Sequence, residues 1–270
     1  VTPTKWIGGY GEGGRLDEMY GYHQQFIFKS MDEIKQYANN HIDEIGKTYG
    51  PGMADQLVPR SDKTYAETSG WKALAPGDVC WEDINGDGVI NSLDRKVLGH
   101  YLPNVTGGFS TTVAYKGLSH YARFDYALGH KIWNYRKATS MAQSQGEFNN
   151  ITEVKKMWSE DNPNSDYPSF TYADQNNKRN IIRSNSDLSS RFLEDGSYLA
   201  LREITLSYSL PKTLVSPIGM QGASIYVTGQ NLFYITKYSG SMPEPKSYEG
   251  TDYGTYPTPK TLLFGISLTF

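Results

Sequence analysis

The C-terminal segment alternates between apolar side chains and small or polar ones. It reads Thr-Leu-Leu-Phe-Gly-Ile-Ser-Leu-Thr-Phe over residues 261–270, and one face comprises Leu262, Phe264, Ile266, Leu268 and Phe270. A period of two predicts a β-strand with two unlike faces. About ten residues at roughly 45° of tilt are enough to cross a bilayer. The segment is therefore typical of a membrane-spanning strand, although a half-buried strand of a water-exposed sheet would show the same pattern.

A second alternating pattern surrounds Lys116-Gly117, a dipeptide that indicates a tight hairpin turn. We predict strands at Phe109–Tyr115 and Leu118–Leu128. The second strand has an apolar face made of Leu118, Ala122, Phe124, Tyr126 and Leu128, with His120 among them. Arg123 and Asp125 lie on the other face, where we expect them to line a water-filled lumen if the apolar face meets lipid.

Two more strands are predicted, at Tyr198–Leu210 and Ser224–Gln230. The apolar phase of the first one slips at Arg202-Glu203, which predicts a β-bulge there. These strands, the hairpin and the C-terminal strand are too few to close a barrel with a lumen. In a membrane they would form part of a larger barrel.

The remaining segments predict short helices and loops. Ser30-Met-Asp-Glu33 can form a capping box, which predicts a helix to about Asn40, and a second helix is expected near Ile151–Trp158. Residues 45–78 are expected to be loop. The polar segment 130–190 is longer than an ordinary connecting loop, which indicates a functional loop. Transmembrane barrels have their long loops on the extracellular side.

Composition narrows the classes of function. The chain has 270 residues, 26 basic and 29 acidic, so its net charge of −3 gives no electrostatic case for binding nucleic acid. Mean hydropathy is −0.56, and no apolar run is long enough for a transmembrane helix. The 21 tyrosines suit aromatic girdles of a barrel, carbohydrate-contacting loops or a β-sandwich equally.

The single cysteine, Cys80, excludes an internal disulfide and is expected to be a small packed residue. The chain begins at Val1 with no signal peptide, so we expect a processed protein or part of a longer one.

The sharpest local motif is Asp83-Ile-Asn-Gly-Asp-Gly-Val-Ile-Asn-Ser-Leu-Asp94, which resembles a twelve-residue calcium loop. Hard oxygen ligands at alternating positions suit Ca²⁺, and the predicted ligands are Asp83, Asn85, Asp87, Val89 through its carbonyl, and Asp94. Aspartate at position 12 is shorter than the usual glutamate, and no long helix precedes the loop. These departures favour a structural calcium site over a sensor, and leave a metal-free turn as the alternative.

No pattern singles out catalytic residues. The five histidines show no HxH or HExxH spacing, and no Gly-x-Ser-x-Gly segment is present. Glu194, Asp195 and Glu203 are carboxylates with no defined separation, so a glycosidase pair has no specific support. We therefore do not expect an enzyme.

Several motifs in the second half of the chain together resemble one family. They are Ser190–Arg202, Thr205–Pro211, Val227–Phe233, Thr236–Gly240 with Pro243-Glu244, Tyr256-Pro257 and the terminal Phe264–Phe270. The acidic loop 83–94, with Arg95, Gly99 and Pro103 after it, matches as well. In aggregate the chain resembles the C-terminal region of SusC/RagA-type TonB-dependent transporters.

This resemblance implies an all-β fold: the C-terminal strands of a large antiparallel transmembrane barrel, about 22-stranded in that family, with long extracellular loops and short helices. Residues 1–108 would be a loop-rich barrel segment and residues 109–270 the final strands. Phe264, Ile266, Leu268 and Phe270 would form a C-terminal assembly signal. The chain shows no plug-like segment or TonB-contacting box, so we expect it to supply only the last part of a barrel.

The resemblance further implies import across the bacterial outer membrane. The implied partners are a SusD-like surface lipoprotein, the plug and earlier barrel strands, TonB, membrane lipid, and an oligosaccharide or peptide substrate. The alternatives are a secreted, dockerin-like calcium-binding module or a glycan-binding β module. Dockerins duplicate the calcium loop, whereas this sequence has one copy.

Overall fold

The computed structural model describes residues 6–7, 10–11, 13–30, 32–34, 36, 76–86, 92–142, 151–169, 188–244, 247 and 249–270. The chain forms two compact units. The first comprises Val1–His100 and Trp133–Leu193, and the second comprises Tyr101–Ile132 and Glu194–Phe270. The predicted division at residue 108 refers to membrane topology, which compactness does not define, and it stays a prediction.

Strands dominate the described residues. They are β1 (Trp6–Ile7), β2 (Tyr10–Gly11), β3 (Glu18–Tyr22), β4 (Gln24–Ile27), β5 (Val79–Trp81), β6 (Arg95–His100), β7 (Val105–Tyr115), β8 (Leu118–Leu128), β9 (Lys131–Trp133), β10 (Leu193–Asp195), β11 (Tyr198–Ser209), β12 (Gly222–Thr236) and β13 (Thr261–Thr269). Besides the helical residues 32–34 and 36, the helices are α1 (Tyr135–Ala142), α2 (Lys212–Val215) and the 3₁₀ turns Ser92–Asp94, Thr152–Lys156, Ser190–Phe192 and Ser216–Ile218.

The second unit is built on one antiparallel sheet with the strand order β13-β12-β11-β8-β7. Its strands are the ones predicted from alternation, but β7 and β12 are longer than expected. At the β7–β8 turn, φ is 48° at Lys116 and 87° at Gly117. Positive φ at both central residues is what a type I′ turn requires, and its twist matches that of the two strands. The predicted hairpin is confirmed.

The predicted bulge is confirmed as well. Strand β11 pairs regularly with β8 and with β12, except between Leu201 and Glu203, where both registers shift. Arg202 has no partner in either ladder, and Asn231 on β12 takes a positive φ of 52° beside it. The extra residue moves the apolar phase from odd to even positions along β11, which keeps one face of the sheet apolar over its whole length.

Cross-strand register shows that the two faces of this sheet are chemically different. Phe264 pairs with Val227, Val227 with Leu206, and Leu206 with His120. Directly paired residues share a face, so this row is apolar on β13, β12 and β11 and reaches His120 on β8. Phe264 is 77% exposed and Ile266 is 70% exposed. No other described element of this unit forms a second layer over this row.

The first unit buries its apolar residues in the usual way. Strand β3 pairs with β6, and β4 pairs with β5. Ile27, Val79 and Trp81 form one core cluster, with Tyr22 and Trp158 packed against it. A second cluster consists of Phe28, Ile34 and Cys80. The predicted small packed environment of Cys80 is confirmed, since this residue is 1% exposed.

The first predicted helix has the expected start. Residues 32–34 and 36 are helical, and the rest of the predicted span to Asn40 lies outside the described residues. The Glu33 N–H donates to Ser30 Oγ at 3.3 Å, as a capping box requires. The Glu33 carboxylate accepts from the N–H of Lys29, at 2.7 Å, rather than from that of Ser30.

The segment 130–190 contains more structure than the sequence predicted. The helix expected near Ile151–Trp158 is a 3₁₀ turn at Thr152–Lys156, and α1 was not predicted. Helix α1 is short, and only two of its residues, Ala138 and Met141, are buried apolar ones, so its sequence shows no clear apolar periodicity. No helix in the described residues has both the length and the apolar character needed to cross a membrane.

Candidate functional site on the polar face of the sheet

The second unit presents hydroxyl and charged side chains on the face opposite the apolar row. Cross-strand partners on this face include Thr205 with Thr228, whose hydroxyl oxygens lie 2.8 Å apart. Tyr226 lies opposite Gly265, and its ring fills the space where a Cβ of residue 265 would stand. Most side chains on this face carry hydrogen-bonding groups, with Leu263 as the one large apolar exception.

One end of the polar face contains a network centred on Arg202. Its Nε donates to Asp125 Oδ2 at 2.9 Å. Its Nη1 donates to the hydroxyl oxygen of Tyr234 at 3.0 Å and to Glu244 Oε2 at 3.2 Å, and its Nη2 donates to Glu244 Oε1. The guanidinium carbon lies 6.0 Å from the Tyr198 ring centroid and 5.5 Å from that of Tyr234. The bulge explains this geometry, because it turns Arg202 out of both ladders and toward the network.

Glu244 accepts more hydrogen bonds than any other group in the network. Besides the two guanidinium nitrogens, the hydroxyl of Tyr198 donates to Oε1 at 2.6 Å and that of Tyr234 donates to Oε2 at 2.8 Å. Burial alone would raise the pKa of the Glu244 carboxyl, but the hydrogen bonds from Arg202, Tyr198 and Tyr234 outweigh it and hold this pKa below its ordinary value. The carboxylate is thus ionised at neutral pH.

Glu244 belongs to the β12–β13 connection, which has anchors of its own. The Tyr238 hydroxyl donates to Asp252 Oδ2 at 2.5 Å, and burial, with this hydrogen bond, raises the pKa of Tyr238. The Ser239 N–H and hydroxyl donate to the Glu194 carboxylate, both at 2.7 Å. Met242 is buried, at 6% exposure. The described residues of the connection on either side of Glu244 are therefore held by contacts that do not involve Glu244.

His130 is a buried neighbour of this network. Its ring meets that of Tyr198 edge to face, with centroids 6.3 Å apart. Burial lowers the pKa of His130, and this effect outweighs the opposing influence of the hydrogen bond to the Pro243 backbone and of the Asp195 charge. His130 is therefore neutral at physiological pH and packs as an aromatic ring.

The predicted lumen residues meet different partners. Arg123 and Asp125 share the polar face, as expected, but the structure does not bring them together. Asp125 pairs with Arg202, whereas Arg123 lies opposite Glu203 in the β8–β11 ladder. Sequence reasoning did not identify the network that joins Tyr198, Arg202, Tyr234 and Glu244. The slip in phase at Arg202-Glu203 was the available signal, because it indicates an extra residue that pairs with neither neighbouring strand.

Only part of the predicted calcium loop lies within the described residues; Asp87 and Val89 do not. Asp94 is fully buried, and its Oδ1 accepts from the N–H of Ile84 at 3.0 Å. Asp83 Oδ1 accepts from the N–H of Gly86 at 2.8 Å. The described residues show no group of three or more acidic, histidine or cysteine side chains placed to hold a metal. The calcium site stays a prediction.

The predicted assembly signal lies on the exposed apolar row. Phe264, Ile266, Leu268 and Phe270 are 77%, 70%, 48% and 75% exposed. The first three alternate with Gly265 and Ser267 along β13, so they share one face of this strand. Their geometry is that of a lipid-facing strand, while their role in assembly stays a prediction.

The comparisons with known proteins agree on one kind of relative. No protein-family model matches the chain. The chain is 31% identical over 205 residues to TonB-dependent receptor P3 of Formosa agariphila, covering 72% of this chain and 19% of that protein. It is 27% identical over 197 residues to TonB-dependent receptor SusC of Bacteroides thetaiotaomicron, covering 72% of this chain and 18% of SusC.

A solved structure of the RagAB peptide transporter superposes with a TM-score of 0.58 at 26% identity, covering 72% of this chain and 21% of that chain. The chain thus spans about a fifth of the length of the relatives it matches. Its five-stranded sheet is open within the described residues, as expected of a portion of a larger barrel. The strands, their register and these matches identify the chain as part of a SusC/RagA-type TonB-dependent receptor, a β-barrel protein of the bacterial outer membrane.

Proposed function

We propose that the chain forms part of the wall and mouth of a TonB-dependent importer of oligosaccharides or peptides. The observation that supports this most directly is the separation of the two sheet faces. Phe264 is 77% exposed on one face, while the Arg202–Glu244 network occupies the other. In the proposed barrel, the hydrocarbon of the bilayer contacts the first face, and the water-filled lumen solvates the second. An exposed apolar row of this kind does not suit a secreted calcium-binding or glycan-binding module.

In the proposed importer, polar side chains such as Arg123 and Asp125 line the interior of the barrel. A SusD-like lipoprotein covers the extracellular mouth, and TonB displaces a plug supplied by the rest of the receptor. Transport of this type forms and breaks no covalent bond in the substrate, so the proposed role is not enzymatic. RagAB is by its description a peptide transporter, which supports peptides as one substrate class, while the oligosaccharide class and the lipoprotein partner rest on the resemblance of the sequence to the family.

Import is tested in the bacterium that encodes the complete receptor. Deleting the gene should abolish growth on the substrate and uptake of its fluorescent derivative, and the intact gene should restore both. A receptor disabled in its TonB contact is the matched control, since it assembles but receives no energy. Unchanged uptake after deletion would contradict the proposal.

Substrate class is decided by offering oligosaccharide and peptide mixtures separately to the purified receptor. Substrates that co-purify with it, identified by mass spectrometry, distinguish the two classes. The same preparation tests the partner: an affinity tag on the receptor should recover a SusD-like lipoprotein in equal amounts. Recovery of the receptor alone, from membranes that contain the lipoprotein, would contradict the proposed partnership with a SusD-like lipoprotein.

We also propose that loop 83–94 binds a structural Ca²⁺. The described ends of the loop support this, because Asp83 and Asp94 each direct one carboxylate oxygen to a backbone N–H of the loop. Carboxylate oxygens are hard ligands of the kind that Ca²⁺ takes. Titration calorimetry of the complete receptor should show heat with Ca²⁺ and less with Mg²⁺. An unchanged melting temperature in chelator, together with no heat, would eliminate the site.

A further inference from the structure

The Arg202 network has the geometry of a carboxylate-binding site. Bidentate contact from a guanidinium is a strong and directional way to hold a carboxylate. Here the Nη1 and Nη2 atoms of Arg202 face both oxygens of Glu244, and each oxygen also accepts from one phenol, that of Tyr198 or Tyr234. Strands β11 and β12 supply all of these donors, whereas the carboxylate comes from the connection that follows β12.

Asp125 completes the site without occupying it. It accepts from Nε of Arg202, which leaves the Nη1 and Nη2 edge for a second carboxylate. The hydrogen bond sets the plane of the guanidinium and partly balances its charge whether or not Glu244 is in place. The donors would therefore keep their arrangement if the side chain of Glu244 turned away.

Such a turn requires no opening of the β12–β13 connection. Tyr238 is bonded to Asp252, and Ser239 is bonded to Glu194, independently of Glu244. The Glu244 side chain is 28% exposed and that of Arg202 is 14% exposed, so solvent reaches the pair. A carboxylate arriving from the solvent side can therefore compete with Glu244 for the guanidinium when the Glu244 side chain rotates.

We propose that Tyr198, Arg202 and Tyr234 form a binding site for a substrate carboxylate, and that Glu244 occupies this site until such a substrate replaces it. The proposal rests on the proposed import function, because it assigns a substrate chemistry to the polar face. A peptide carboxylate and the carboxylate of a uronic acid present the same two oxygens. Neutral sugars and amidated peptides lack them and gain nothing from this site.

The direct test uses acetate as the probe on the purified complete receptor. Glu244→Ala empties the site, so this variant should gain a saturable, acetate-dependent rise in melting temperature that chloride at equal ionic strength does not reproduce. Glu249→Ala makes the same chemical change in the same connection, at an exposed position, and should respond like the wild type. Adding Arg202→Gln to Glu244→Ala should weaken acetate binding by about tenfold or more. An acetate response of Glu244→Ala no larger than that of Glu249→Ala would overturn the proposal.

A second measurement covers the case in which Glu244→Ala does not assemble. Wild-type receptor is offered an acidic peptide with its amidated form, and a uronic-acid oligomer with its methyl ester. The acidic member of one pair should bind about tenfold more tightly, and that pair identifies the source of the carboxylate. Arg202→Gln should remove the preference. Equal binding within both pairs by the wild type would overturn the proposal. Unchanged uptake after deletion of the gene, with the acetate response intact, would count only against import.

Discussion

The two compact units place the same kind of side chain in opposite surroundings. Phe28 in the first unit is 1% exposed and packs with Ile34 and Cys80, while Phe264 in the second unit is 77% exposed. The two residues have the same side chain, so their difference in exposure reflects the surroundings of each unit. The first unit removes its apolar surface from water with protein atoms, and the second relies on lipid to do so.

This contrast also explains the polar groups. In the first unit, the Glu82 carboxylate is paired with Lys96, whose hydrogen bond lowers the pKa of Glu82. This pair lies at a protein surface. In the second unit, the Arg202 network lies on the polar face of the sheet, and the opposite face is apolar. The sheet has apolar and polar sides reversed relative to an ordinary sheet that packs on a core.

The largest expected effect comes from making one substitution in both units. Phe28→Ala should destabilise the first unit by about 3–5 kcal/mol, because it leaves a cavity among Ile34 and Cys80. Phe264→Ala removes no buried protein contact and should cost much less. Thermal unfolding of each purified variant, monitored by its susceptibility to proteolysis, measures the two losses of stability. Equal losses would break the contrast between the units.

The next effect tests the lipid-facing row. Phe264→Arg should cost roughly 2–4 kcal/mol if residue 264 lies near the middle of the bilayer. The variant should therefore show less receptor in the outer membrane and less of the compact form on mild-detergent gels run without heating. Ser267→Arg places the same charge on the polar face of the same strand and serves as the control. A stronger defect from Ser267→Arg would reverse the assignment of the faces.

A smaller effect concerns pH at the polar network. The folded pKa of Glu244 lies below its ordinary value of 4.5, so the ionised carboxylate stabilises the fold above that value. This stability should be lost as the pH falls below 4.5 through the folded pKa. Glu244→Gln should lower the melting temperature at neutral pH and lose this part of the acid dependence. An identical acid profile for Glu244→Gln and wild type would contradict the network.

The smallest effect sharpens the description of the first unit. Ser30→Ala removes the side-chain acceptor for the Glu33 N–H and should cost about 1 kcal/mol. Ser30→Asp keeps an acceptor and should restore most of it. Thermal unfolding of the first unit, compared with that of the sheet, should show a loss confined to the first unit. A uniform shift of both transitions would contradict independent local stability.

Alternation predicted the sheet well because side chains of a strand point alternately to its two faces. The turn at Lys116-Gly117 and the bulge at Arg202-Glu203 followed from local chemistry in the same way. Helix α1 was missed because its buried residues, Ala138 and Met141, are too few to mark a clear apolar stripe. The predicted α-helix near Ile151 is a 3₁₀ turn, since a segment of this length gains little from α-helical hydrogen bonds.

The amino-acid sequence by itself determined which residues form membrane-type strands, where the hairpin turns and where β11 changes phase. Those features depend on neighbours a few positions apart. Only the tertiary structure decided that Asp125, Arg202 and Glu244 meet, because three separate segments supply them and no local pattern encodes their approach. Charge pairing across such distances depends on sheet register and on the path of the β12–β13 connection, and the fold alone establishes both.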